Sequence, residues 1–354
     1  MPGLDPWAGK VSTCGVERGA GVRSAIDARI RRRRQDGGAG LGFFNSILAF
    51  LARYATQAMA GGVFVGLVLP DLAHVLRPWL AVAVWGLLYL AMLRIEWGAL
   101  VQHMRRPLLV VALVIWMLIV SPLLMAGLLM GVDLRPGLEA AMILAAASSS
   151  LFSTPTLGVI FGLDGALLLI VLVFATLLVP ITLPVAALTL LGFDMGADPL
   201  AMMWRMIALV VSAAVMAVLS RRMMSQQQVT RAAPLFDGLS VVLLIGFAVG
   251  IMDGLTGHLL RDPADIAYVA ALSFAVYTGM MVLSFGVFLF LVPGVGRRGA
   301  LSAGFISGTR NLAIILAVLP ASVDSDLPLF FAVGQFPIYI MPIILKPVFR
   351  RLLR

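Results

Sequence analysis

The chain has 354 residues, of which 61% are hydrophobic and only 12% are charged, and its mean hydropathy is +1.03. Soluble domains carry about 25% charged residues, so this composition excludes an ordinary soluble protein and indicates an all-α integral membrane protein. The formal net charge of +9 could suggest a nucleic-acid partner, so the location of the charge matters more than its sum. The single cysteine excludes an internal disulfide framework.

The first 44 residues form a basic segment without an apolar stretch long enough to cross a bilayer. Eight of the 26 lysines and arginines lie here, including four consecutive arginines at 31–34. Basic segments beside a first membrane span are typical of cytoplasmic leaders that lie near an anionic leaflet, and we favour this interpretation over nucleic-acid binding. We predict a disordered cytoplasmic leader over 1–44. The alternative is a start codon placed too early, in which case the leader has no function.

Ten apolar segments follow when the chain is divided at proline, glycine and charge clusters. They run over 45–69, 79–93, 107–130, 138–161, 164–192, 199–219, 235–256, 264–292, 299–320 and 327–348. We divide them into a first half of five helices over 45–192 and a second half over 193–354 that ends in a short basic tail. Because five is odd, the second half enters the membrane from the opposite face, which predicts two inverted five-helix repeats.

Lysine and arginine separate into alternate loops, as the positive-inside rule requires for this number of spans. Twenty of them lie in the leader, in the tail and in the loops after spans 2, 6 and 8, whereas three lie in the opposite loops. We therefore predict a multi-pass protein of the plasma (inner) membrane with both termini in the cytoplasm and with lipid as its surroundings.

Polar residues interrupt the fourth span. Three serines at 148–150 are followed by Ser153, Thr154 and Pro155. Proline lacks a backbone donor and disfavours helical geometry at the preceding residue, so the helix is expected to break here. The alternative for the three serines is a purely structural role, in which each hydroxyl bonds to the carbonyl four residues earlier in the same helix.

The ninth span has a similar interruption at 307–311, and it contains Arg310 near its middle. A guanidinium at the centre of a bilayer costs about 2.5–3.5 kcal/mol, so an arginine at this depth indicates a functional site. The alternative is a structural arginine whose guanidinium is satisfied by backbone carbonyls.

The two interruptions occupy corresponding places in the two halves. Thr154 precedes Pro180 by 26 residues, and Asn311 precedes Pro337 by the same 26 residues. Paired interruptions in inverted halves indicate the binding site of a secondary transporter. Gln335, just before Pro337, is a further candidate for the lining of the site, although a kink explains this segment equally well.

Three motifs resemble the bile acid:sodium symporter family. They are Leu177-Leu178-Val179-Pro180 with Leu183-Pro184, the turn Gly308-x-Arg310-Asn311, and Gly66-x-x-x-Pro70-Asp71. The resemblance covers 45–348 and implies ten helices in a panel and a core domain, with interrupted helices 4 and 9 crossing at the membrane midplane and the solute bound between the domains.

The sodium ligands of that family are mostly replaced in this chain. The resemblance places its ion-binding positions on Thr154, Pro155, Leu168, Leu172, Ile306, Thr309 and Arg310. Most of these side chains are apolar or cationic and do not suit a hard cation. We therefore expect no sodium coupling through these positions, and Arg310 is expected to supply the missing positive charge.

These features predict a secondary transporter that moves a small organic anion by alternating access. The predicted solute-binding residues are Ser153, Thr154, Thr309, Arg310, Asn311 and Gln335. An arsenite-efflux-like or other permease on a related scaffold, and a receptor or assembly subunit that has lost transport, stay open as alternatives. We predict no enzyme activity, no catalytic residues, no cofactor, no metal site and no nucleic-acid partner, because the spans contain neither a catalytic constellation nor a ligand cluster.

Overall fold

The computed structural model describes residues 55–95, 107–192, 198–319 and 325–353, and these residues form helices without a β-strand. The predicted leader over 1–44, the start of the first predicted span and the loop at 96–106 lie outside them. Apolar segments fold as helices in a membrane because a helix bonds its own backbone polar groups, which hydrocarbon cannot do.

Eight helices lie in the described residues up to 192. They are α1 (Ala55–Val68), α2 (Pro70–Leu76), α3 (Leu80–Arg94), α4 (Pro107–Ile115), α5 (Ser121–Leu129), α6 (Pro136–Ala147), α7 (Thr154–Phe161) and α8 (Gly165–Leu191). A 3-10 turn, Arg77–Trp79, joins α2 to α3, and a π-helical segment, Trp116–Val120, joins α4 to α5.

Eight more helices follow. They are α9 (Pro199–Met223), α10 (Gln226–Gly250), α11 (Leu255–Arg261), α12 (Pro263–Phe290), α13 (Gly296–Gly308), α14 (Ala313–Leu316), α15 (Asp326–Val333) and α16 (Gln335–Leu352). A capping box at Ser225 and Gln228 fixes the start of α10, and the side chain of Asp262 caps α12.

Six helical stretches of the described chain are long and apolar enough to cross a membrane. They are Pro70–Arg94, Pro107–Leu129, Gly165–Leu191, Pro199–Met223, Arg231–Gly250 and Pro263–Phe290. Large apolar side chains such as Leu108, Val68 and Phe290 are exposed along these and neighbouring helices, as expected where a surface contacts lipid. Together these features indicate an all-α, multi-pass membrane protein.

Two predicted boundaries differ from the structure. The second span begins at Pro70 rather than at 79, so Asp71 and Arg77 belong to helical turns rather than to a loop. Proline is tolerated in the first turn of a helix, which is why Pro70 begins a helix instead of ending one. The helix that contains the seventh span begins at Gln226 rather than at 235, because the capping box extends it toward its amino end.

The helices pack in two groups. In the smaller group α10 packs against α1, α2 and α3, and α9 packs against α3. In the larger group α6 and α8 pack against each other and against α4, α5, α7 or α15, while α12 packs against α13, α15 and α16. The consecutive helices α8 and α9 also pack together and connect the two groups.

Close packing of α12 and α13 depends on two glycines one turn apart. A Cβ at Gly304 would lie 2.8 Å from the Met281 carbonyl oxygen, and one at Gly308 would lie 2.9 Å from the Met281 Cβ. Small residues spaced four apart let helix backbones approach each other in membranes. These glycines therefore allow α13 to lie close against α12.

Candidate functional site

Two helices of the larger group break and cross each other. The first break lies between α6 and α7, and the second lies between α13 and α14. Across the crossing, the Leu151 amide donates to the Thr309 carbonyl at 3.1 Å and the Asn311 amide donates to the Ser149 carbonyl at 2.8 Å. Each break therefore supplies the backbone partners that the other has lost.

Three buried hydroxyls connect the two breaks through side chains. Ser150 Oγ lies 2.9 Å from Thr154 Oγ1 and 3.0 Å from Thr309 Oγ1, and the two threonine oxygens are 2.9 Å apart. The Thr309 hydroxyl also lies 2.9 Å from the Phe305 carbonyl oxygen, in the last turns of α13. The predicted site residues Thr154 and Thr309 are thus in direct contact, and Ser150 completes their cluster.

Arg310 is the largest fully buried side chain of the described chain, and it lies at this crossing. Its Nε donates to the Ser307 carbonyl at 2.8 Å, and its Nη1 donates to the Ser148 carbonyl at 2.7 Å and to the Met117 carbonyl at 3.4 Å. Three backbone carbonyls from three different spans therefore hold one guanidinium. This arrangement is the one expected if Arg310 is a structural residue whose guanidinium is satisfied by backbone carbonyls.

The guanidinium lies where two helices end. Ser148 is the residue that follows α6, and Ser307 is the second-last residue of α13. The carboxyl end of a helix carries a partial negative charge of roughly half an elementary charge, so the two ends together offset a full positive charge. No carboxylate pairs with Arg310 among the described residues, and the converging helix ends explain why its charge is nevertheless accommodated.

The π-helical segment contributes one of the three carbonyls. Met117 lies within Trp116–Val120, where the wider helical turn departs from the regular bonding pattern and leaves carbonyls open to other donors. Such segments occur often at functional sites. The second terminal nitrogen of Arg310, Nη2, meets weaker acceptors, with Ser121 Oγ at 3.1 Å and the Met280 thioether sulfur at 3.9 Å.

Several buried hydroxyls near the crossing have no hydrogen-bond partner within the described residues. These are the side chains of Ser149, Ser307 and Tyr277. The Tyr277 carbonyl lies 3.1 Å from where a Cβ at Gly308 would stand, and the Tyr277 hydroxyl lies 3.1 Å from the corresponding point at Gly334. Buried polar atoms are normally bonded, so these hydroxyls are available to water or to a polar solute.

The other predicted site residues have separate roles. The Asn311 side-chain oxygen accepts from the Ala313 amide at 3.2 Å, and the Gln335 side-chain nitrogen donates to the Phe331 carbonyl at 3.0 Å. Both side chains are buried, whereas Ser153 is exposed. The structure thus joins Thr154 and Thr309 directly, and Ser153 and Gln335 lie outside that cluster.

Three of the positions that correspond to sodium ligands in the resembling family carry buried apolar side chains. Leu168 and Leu172 are buried in α8, and Ile306 is buried in α13. Among the described residues there is also no group of three or more His, Cys, Asp or Glu side chains that could hold a metal ion. The polar atoms at the crossing are neutral hydroxyls and carbonyls, and its one charge is the guanidinium of Arg310.

A cavity of about 660 Å³ lies between the two helix groups. Its walls come from the α2–α3 junction, the turn between α10 and α11, α14 and α15, and its ionisable lining residues are Arg77, Asp253, His258 and Asp326. Arg77 pairs with Asp253 at 2.8 Å on the wall of the smaller group. The cavity therefore presents both signs of charge to an occupant.

Sequence reasoning missed several residues that form the crossing. Met117, Ser121, Tyr277 and Met280 all lie inside predicted spans and were not assigned a role. Ser121, followed by a proline, and Tyr277 are polar interruptions of apolar segments, and that signal could have identified them. Met117 contributes only its backbone, so its side chain gives no signal.

Comparison with models of known protein families finds no family that matches this chain, and comparison with curated proteins finds no match either.

Proposed function

We propose that this protein is a secondary transporter that moves a small organic anion by alternating access. Its ten spans would form two inverted five-helix repeats like those of the bile acid:sodium symporter family, in a plasma (inner) membrane with both termini in the cytoplasm. The sorting of basic residues into alternate loops supports this topology.

The observation that carries the proposal is the crossing of two broken helices. Transporters bind their solutes at interrupted helices because backbone groups freed from a helix can bond a ligand instead of lipid. In this chain the breaks at 148–153 and 309–312 meet directly, through backbone bonds and through the cluster of Ser150, Thr154 and Thr309.

The two helix groups and the cavity between them support the alternating-access step. A cavity of about 660 Å³ is within the size range of small-molecule sites. Because α14 begins immediately after the crossing and lines this cavity, a change at the crossing would move one wall of the cavity. The smaller and larger groups are the two bodies that would rock against each other.

Arg310 has one supported role and one that stays a prediction. Its bonds at the carboxyl ends of α6 and α13 support a role as a fixed cation in place of coupling sodium. Direct contact between Arg310 and solute requires its guanidinium to become accessible, since it is fully buried in this conformation. We therefore expect transport without sodium, with Arg310 acting chiefly through the shape of the crossing.

Uptake by purified protein in proteoliposomes tests this proposal. A keto acid and a bile acid serve as labelled solutes, and uptake is compared with a sodium gradient and with an equal choline gradient. We expect equal uptake under the two gradients, and loss of uptake in Thr154→Val and Thr309→Val.

Thr189→Val is the matched control, because the Thr189 hydroxyl bonds only to carbonyls of its own helix. Uptake that requires sodium would contradict the role of Arg310. Absence of uptake, together with no thermal stabilisation by any anion of a broad panel, would favour a subunit that does not transport.

A further inference from the structure

A second cavity, of about 400 Å³, lies beside Arg310 on the outside of the larger helix group. We call it the lateral cavity. It lies between the π-helical segment with α5 on one side and the middle of α12 on the other. Its lining includes Trp116, Ser121, Leu128, Gly279, Met280 and Ser284. It shares no lining residue with the cavity between the helix groups.

The body of the lateral cavity suits hydrocarbon. Its polar side-chain atoms come from Ser121, Ser284 and Trp116, and the Trp116 indole already donates to Ser284 Oγ. At its rim, Leu124, Leu128 and Leu283 are 39%, 66% and 40% exposed, on helices that are apolar enough to cross a membrane. In a bilayer this exposed apolar rim would face lipid chains, and an apolar occupant could enter from there.

The inner end of the cavity suits an anion. Ser121 and Met280 line the cavity, and both contact Nη2 of Arg310. A thioether is a weak acceptor, and a sulfur 3.9 Å away leaves one guanidinium N–H poorly bonded. The Ser121 hydroxyl accepts from Arg310 and donates to no acceptor within the described residues. Two hydrogen-bond donors, one of them cationic, thus lie behind an otherwise apolar cavity.

We propose that the lateral cavity binds a long-chain fatty acid taken from the membrane. Arg310 is buried behind Ser121 and Met280, so the Met280 side chain must turn aside to expose Nη2. The alkyl chain then lies against the leucines at the rim, and the carboxylate replaces the Met280 sulfur as the acceptor for Nη2 of Arg310 while also accepting from Ser121. A hydrogen bond from a cation to a carboxylate is about twice as strong as one between neutral groups. The carboxylate would also pair with the buried guanidinium of Arg310, which has no acidic partner in the described chain.

The depth of Arg310 favours a fatty acid over a phospholipid. Arg310 follows a 13-residue helix that begins at the charged Arg297 and Arg298, which places it about 20 Å along the axis from that end. The head group of a phospholipid stays at the membrane surface, which is too far away to reach Nη2. A single-chain carboxylic acid has a head group small enough to enter between α5 and α12.

Two glycines of α12 provide a matched pair of variants. A Cβ at Gly279 meets no atom within 4 Å, and neither does one at Gly286, but only Gly279 lines the lateral cavity. Gly279→Leu should fill the cavity without a clash against the backbone, whereas Gly286→Leu makes the same chemical change two turns away.

Binding is measured with the full-length protein in phosphatidylcholine nanodiscs, with radiolabelled palmitate and with its methyl ester. We expect palmitate to bind at least about tenfold more tightly than the ester, because the ester loses the charge-assisted bond. We expect Gly279→Leu to weaken palmitate binding by about tenfold or more, and Gly286→Leu to leave it within about twofold.

Three results would overturn the proposal: equal affinity for palmitate and the ester, equal effects of the two leucine variants, or equally strong competition by phosphatidylglycerol. If Gly279→Leu lowers the melting temperature, photolabelling replaces this variant as the test of the site. The probe is a photoreactive palmitate with its diazirine near the carboxyl group. Labelling within 116–129, within 275–284 or at Met142, which also lines the cavity, supports the site in the wild-type protein, and labelling elsewhere contradicts it. Neither measurement depends on transport. A negative result would therefore contradict fatty-acid binding without contradicting the proposed transport function, which the uptake assay tests separately.

Discussion

Replacement of Arg310 by methionine tests whether the guanidinium holds the crossing together. Methionine fills most of the volume and carries no charge, so the variant removes the bonds to the Ser307 and Ser148 carbonyls at 2.8 and 2.7 Å. A buried acceptor that loses its donor costs roughly 1–3 kcal/mol, so the two carbonyls together cost roughly 2–6 kcal/mol. The third bond, at 3.4 Å to Met117, is long and adds little.

Removal of the charge offsets part of this cost. An ion buried away from water carries a penalty of several kcal/mol, and the methionine variant no longer pays it. The helix ends of α6 and α13 reduce that penalty in the wild-type protein, because their partial negative charges face the guanidinium. We therefore expect the cost of the two unpaired carbonyls to exceed the gain from removing the buried charge. The net loss in the free energy of unfolding should be about 2 kcal/mol.

The assay is thermal unfolding of the purified protein in detergent, with Arg205→Met as the control. Arg205 also lies in an apolar helix, but it is exposed and makes one bond of 3.3 Å to the Val318 carbonyl. A loss of 2 kcal/mol corresponds to about 4 °C in melting temperature, whereas the exposed control should change it by about 1 °C. If the two variants melt within about 1 °C of each other, the carbonyls at the crossing do not depend on the guanidinium and the reasoning is wrong.

Two further variants test the packing around the crossing by the same thermal measurement. Gly304→Leu should destabilise the protein by at least about 2 kcal/mol, because a Cβ there would lie 2.8 Å from a backbone oxygen of α12. Gly127→Leu is its control, since a Cβ at Gly127 meets no atom within 4 Å, and equal effects would contradict the close packing of α12 and α13. Thr309→Val should cost about 1–2 kcal/mol, because it removes one hydroxyl from a buried three-hydroxyl cluster; no change in melting temperature would mean that the cluster is not formed.

The sequence indicated where the helices break but not how the breaks are satisfied. Pro155 and the polar run ending at Asn311 mark the breaks because proline lacks a donor and because polar groups are costly in lipid. The partners of Arg310 are backbone carbonyls, and a carbonyl acceptor is the same for every residue type. Met117 could therefore not be identified from its side chain, although the alternative of a guanidinium held by carbonyls was stated.

The ends of the helices and the orientation of side chains beside a break were also not predictable from residue type alone. Pro70 and Arg77 are residue types that are common in loops, and the structure places both in the continuous helical stretch Pro70–Arg94. Ser153 was grouped with Thr154 by proximity in the chain, yet the break rotates one side chain outward and the other into the hydroxyl cluster. Spacing in a helix predicts a shared face, and a break removes that regular relation between neighbours.

The position of Arg310 has a consequence for how the crossing responds to its surroundings. A dissolved cation occupies a site in proportion to its concentration, and it leaves the site at a finite rate. A guanidinium attached to the chain has no dissociation step of that kind, because its effective concentration is set by the fold itself. The positive charge at the meeting point of α6 and α13 therefore persists in any ionic medium, for as long as the two helices stay folded.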